Sequence, residues 1–81
     1  MDKKIEFLKE VIERGMGIYG PEIMENMLKE SGIEMDIEGN IIFKTSEPEA
    51  MKKFFDKYSS ITPVAKMNLQ MLAKKHKILL S

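Results

Sequence analysis

Three prolines divide this chain, and each stands where a helix can begin: Pro21 after Gly20, Pro48 two residues past Ser46, and Pro63 after Thr62. Proline lacks a backbone N–H and its ring clashes with the preceding turn, so it is accepted in the first turn of an α-helix and not in its interior. The chain must therefore fold as short helical segments restarted at these points.

Ile5, Leu8 and Ile12, with Phe7 and Val11, recur at helical spacing, while Lys3, Lys4, Lys9, Glu10 and Glu13 take the other face. This predicts an amphipathic helix over residues 2–14, stopped by Gly15. A second helix opens at Pro21, has Glu22 in its first turn where negative charge suits the dipole, presents Ile23, Met24, Met27 and Leu28 on one side, and ends at Gly32. Residues 33–43 alternate apolar and polar through Ile33, Met35 and Ile37, turn at Gly39-Asn40 and resume as Ile41-Ile42-Phe43, the signature of a β-hairpin. Ser46 and Glu49 have the spacing of a capping box ahead of a third helix, whose Met51, Phe54, Phe55 and Tyr58 share one stripe.

Thr62 is placed to cap, and Pro63 to open, a fourth helix running to about His76. On a helical wheel Ala65, Leu69, Leu72 and Ala73 make one apolar stripe, and Val64, Met67, Met71 and Ile78 make a second. A helix apolar around so much of its circumference is central to the domain or shared with a partner.

The expected architecture is α+β and mainly α: a single domain over residues 1–81 in which two helical hairpins flank a central β-hairpin at about 33–43. Its core is expected from Ile5, Leu8, Ile12, Ile23, Met27, Leu28, Phe54, Phe55, Tyr58, Leu69 and Leu72. Both halves share the order helix, linker, proline-started helix, which fits an internal duplication or a chance placement of helix-opening prolines. A chain of 81 residues hides only about 60% of its unfolded surface and has little room for large cavities.

With no cysteine there is no disulfide framework, thiolate metal site or cysteine nucleophile, and a reducing cytoplasm is the expected compartment. The longest apolar runs, Ile41–Phe43 and Ile78–Leu80, fall far short of the roughly 20 residues that span a bilayer, so no membrane segment is expected. Asp2-Lys3-Lys4 runs directly into an amphipathic pattern, unlike a signal peptide. Abundant Lys, Glu and Ile with a single Gln give a thermophile-like composition.

The charges are sorted along the chain. Residues 1–43 hold ten acids and five bases, and residues 44–81 hold three acids and eight bases, so a chain of net charge zero joins a −5 half to a +5 half. Such a distribution bears on encounter and association.

Gly15-Met16-Gly17-Ile18-Tyr19-Gly20 spells the dinucleotide-binding glycine pattern. That chemistry needs a buried strand before the glycines and a βαβ unit around them, and here a helix precedes, so the segment reads as a helix end and turn. His76, the only histidine, lies among Lys74, Lys75 and Lys77, which repel a metal ion, so it is expected at a helix end without a catalytic role. The acids lie on solvated helical faces rather than as converging pairs, and Asp36, Glu38 and Asn40 read as turn residues, not a calcium loop. No catalytic, cofactor or metal residues are assigned.

Eight methionines, most on apolar stripes, suit either gap filling or an adaptable contact surface. The leading expectation is a non-enzymatic protein-interaction or regulatory module, self-associating as a two-fold dimer through Val64, Met67, Met71 and Ile78, or binding another protein. The alternative is a winged-helix-like regulator that meets nucleic acid through Lys66, Lys74, Lys75 and Lys77, with Lys52, Lys53 and Lys57 nearby in sequence. Against it, the second helix carries Glu22, Glu25 and Glu30 against Lys29 alone, a surface that phosphates repel.

Overall fold

The computed structural model describes residues 3–78; Asp2 and the Leu79-Leu80 end of the second apolar run lie outside them. In chain order the elements are α1 (Lys3–Tyr19), α2 (Pro21–Ser31), β1 (Ile33–Met35), β2 (Ile41–Phe43), α3 (Glu47–Ser59) and α4 (Pro63–Lys75). This is the mainly helical α+β order read from the sequence, with the hairpin between two helical pairs. β1 and β2 are antiparallel, with Ile33 opposite Phe43 and Met35 opposite Ile41. Asp36 closes the turn: its Oδ1 accepts from the backbone N–H of Glu38 at 2.9 Å and of Asn40 at 2.8 Å. Gly39 supplies the positive φ of 88° that the return needs.

Two sequence expectations fail at helix ends. α1 does not stop at Gly15 but continues to Tyr19, so the glycine-rich motif lies mostly inside a helix. Gly15 falls in step with Leu8, Ile12 and Tyr19 and is buried; a methyl there would overlap Met24 Sδ and Cε. A mid-helix glycine costs roughly 1 kcal/mol in propensity, and the close approach of α1 to α2 through Met24 offsets it. Gly20 alone, at φ 92°, separates the two helices. At α3, Ser46 is the N-cap residue but its side chain makes no capping bond, so the expected capping box does not form; only its carbonyl engages, accepting from Ala50 N at 2.9 Å.

The principal packings run α1 on α2, α2 on α3, α3 on α4 and α4 back on α1, closing a ring of four helices. Aromatic side chains bridge one diagonal: Phe7 meets Phe55 at 5.1 Å between centroids, and Tyr19 meets Tyr58 edge-on at 6.0 Å. Both contacts draw α1 toward α3, which leaves α2 and α4 as the separated pair. The core holds Leu8, Ile12, Met27, Leu28, Phe54, Tyr58, Leu69 and Leu72 as expected, and also Phe7, Val11, Met24, Ile33, Ala50, Met51, Ala65 and Ala73. Ile5 and Phe55 are only partly buried, and Ile23 is 48% exposed. The buried face of α2 is centred on Met24, Met27, Leu28 and Ser31, and Ile23 stands one helical step, about 100°, off it.

Candidate interaction surface

α4 begins as its sequence dictates. Thr62 Oγ1 accepts from Ala65 N at 3.0 Å and lies 3.2 Å from Tyr19 Oη, so one hydroxyl caps α4 and ties its start to the end of α1. From there Ala65, Leu69, Leu72 and Ala73 pack inward against the core.

The second stripe is left uncovered. Val64, Met67 and Met71, spaced i, i+3 and i+7, are 60%, 62% and 65% exposed. Ile18, 56% exposed, stands one residue before Tyr19 and so belongs to the same end of the α1–α4 pair as Val64. Ending α1 at Gly15 leaves Ile18 outside the helix, whereas the unbroken spacing Leu8, Ile12, Gly15, Tyr19 includes it.

Ile78 departs from its expected place. The chain leaves the helix at Lys77, whose φ is +57°, and Ile78 N donates to Ala73 O at 2.8 Å while Lys77 N donates to Lys74 O at 3.2 Å. This pair of bonds is a Schellman motif, which folds the following apolar residue back over the last turn. Ile78 accordingly packs partly buried against the core instead of extending the Met67–Met71 stripe.

The lysines divide in two. Lys75 Nζ is 3.2 Å from Glu10 Oε2, across the α1–α4 contact, and His76 Nε2 is 2.7 Å from Glu10 Oε1 with its ring 5.8 Å from that of Phe7. Arg14 Nε approaches the same carboxylate at 3.5 Å. The His76 hydrogen bond, aided by Lys75, holds the Glu10 carboxyl below the ordinary glutamate range against the opposing effect of burial. Lys66, Lys74 and Lys77 enter no ion pair among the described residues, and α4 contains no acid.

On the far diagonal, α2 carries Glu22 and Glu25 without a partner among the described residues, while Glu30 is bonded to Lys57 of α3 at 2.8 Å. Glu34 of the hairpin pairs with Lys44 at 3.2 Å. Part of the charge sorting thus closes contacts within the molecule, and the remainder leaves a basic α4 and an acidic α2 at opposite corners of the ring.

Sequence length argued against a pocket of several hundred Å³, yet α2 and the hairpin frame an open groove of about 550 Å³. It is lined by Met16, Leu28, Ile33 and Met35 with Glu25, Lys29 and Lys44, where β1 follows α2 directly and packs against it. Among the described residues no three His, Asp or Glu side chains are grouped to hold a metal ion, and no helix is long and apolar enough to cross a membrane. Comparison of the chain with protein-family models, with curated proteins and with solved structures finds no match.

Proposed function

We propose that this protein is a non-enzymatic interaction module that self-associates through α4. One observation carries the reading: Val64, Met67 and Met71 stand more than half exposed in a single stripe, while the opposite face of the same helix already fills the core. Burying the exposed part of each side chain is worth roughly 1–2 kcal/mol, and association costs at least about 4 kcal/mol, so three such residues support a weak contact rather than a permanent one. Two methionines suit that role, because an unbranched thioether adapts to the surface it meets.

Sedimentation equilibrium at about 100 µM, where weak complexes are populated, tests it. The expected result is an average mass above one chain for the wild type and a monomer for Met67→Glu/Met71→Glu, with the helical circular dichroism of both unchanged. A wild type that stays monomeric overturns the proposal. The nucleic-acid alternative would use Lys66, Lys74 and Lys77, but the stripe between Val64 and Met71 offers a phosphate backbone no partner.

A further inference from the structure

We infer that Met67 and Met71 form a reversible oxidation site, at which hydrogen peroxide converts both thioethers to sulfoxides and switches the α4 contact off. The inference rests on the reading of α4 as the contact helix and adds what controls that contact. Among the described residues Met24, Met27 and Met51 are buried, none more than 7% exposed, and Met16 and Met35 are partly buried against the core. Met67 and Met71 alone are open, at 62% and 65%, and their spacing of about one helical turn sets them on the same face of α4.

An oxidant meets these two groups of methionines on different terms. It reaches an exposed thioether in the folded chain, whereas a buried one reacts only when the domain opens, which slows the reaction by about tenfold or more. Oxidation of the folded protein is therefore directed to α4 and spares the core. In each transfer a sulfur lone pair attacks one peroxide oxygen as the O–O bond breaks. The sulfur loses two electrons and keeps that oxygen, whose proton passes to the departing hydroxide to make water, so one peroxide is consumed per methionine.

The product is a strong hydrogen-bond acceptor where the contact had an apolar surface. Covering it without a donor forfeits its hydration, and of the exposed stripe only Val64 stays apolar. Leucine would supply similar apolar area and not react, so the thioethers at both positions are what make the contact responsive. Methionine sulfoxide reductases reverse the change, removing the oxygen as water with two electrons from a dithiol that becomes a disulfide; one reductase class acts on each sulfoxide epimer.

Treatment of the wild type and of Met67→Leu/Met71→Leu with hydrogen peroxide decides it, with oxidised positions read by peptide mass spectrometry and association by sedimentation velocity at about 100 µM. Wild-type peptides holding Met67 and Met71 are expected to gain oxygen at least about tenfold faster than those holding Met24, Met27 or Met51. Once both have reacted, association should be weaker by about tenfold or more with the helical circular dichroism unchanged, and both reductase classes with dithiothreitol should restore it. Met67→Leu/Met71→Leu should associate like the wild type and go on associating after the same treatment. An oxidised wild type that still associates, a leucine variant that dissociates with it, or buried methionines that oxidise at the same rate overturns the inference and leaves the α4 contact standing. A wild type that is monomeric before treatment removes both.

Discussion

Tyr58 is the residue whose environment is least balanced. Its ring is fully buried between Phe54 at 6.1 Å and Tyr19 at 6.0 Å, and its hydroxyl has no hydrogen-bond partner among the described residues. Burial, with Tyr19 adding to it, pushes the phenol above its ordinary range. An unpaired buried hydroxyl costs about 1–3 kcal/mol, whereas the ring itself is well packed. Tyr58→Phe keeps the ring and deletes only the unpaired atom, so it is expected to raise stability by about 1 kcal/mol. The measurement is a urea melt: the midpoint should rise at unchanged slope, and a fall would mean that the hydroxyl is satisfied in solution.

At the scale of elements, two helix starts that look equivalent in sequence are not equivalent in structure. Thr62 Oγ1 receives Ala65 N and reaches Tyr19, whereas Ser46 contributes no side-chain bond to α3. Thr62→Ala is therefore expected to cost about 1 kcal/mol or more, and Ser46→Ala only a few tenths, by thermal or urea denaturation. Equal losses would show that Ser46 caps α3 in solution. What was legible in the sequence followed from local chemistry: the proline-started helices, the Gly39 hairpin and the two-striped α4 all depend on backbone rules that act within a few residues. What was hidden depended on tertiary contact. Gly15 reads as a stop, but Met24 packs where its side chain would have been, and α1 runs on to Tyr19 with Ile18 exposed in its last turn. Ile78 continues the wheel of α4 in sequence, but a Schellman motif at Lys77 turns it inward. The wheel thus found three of the four stripe residues and failed at the one placed beyond the helix.

Across the whole molecule, Glu10 is where the two sequence halves are tied most densely. It receives His76 and Lys75 from the end of α4 and Arg14 from its own helix, joining residues 65 and 66 positions apart. This closes the α1–α4 side of the ring, the least extensively packed of its four seams. Because the folded state holds the Glu10 carboxyl below its ordinary range, its contribution is complete above the unfolded glutamate value of about 4.3 and is lost as pH falls through the lower folded value. Glu10→Gln should then be less stable than the wild type at pH 7, by about 1 kcal/mol once solvent screening at this partly exposed site is allowed for. The difference should narrow as pH drops below about 4.3, where the unfolded chain's carboxyl takes up its proton, and close once pH passes the lower folded value, where the carboxyl is neutral in both states. Asp36 and Glu30 are likewise held below their ordinary ranges, by the Asn40 backbone N–H and by Lys57, so the variant should still lose stability in acid, only less steeply. Urea midpoints of both proteins measured from pH 7 down to about 3 would test this; parallel curves would show that the Glu10 contacts seen here do not persist in solution.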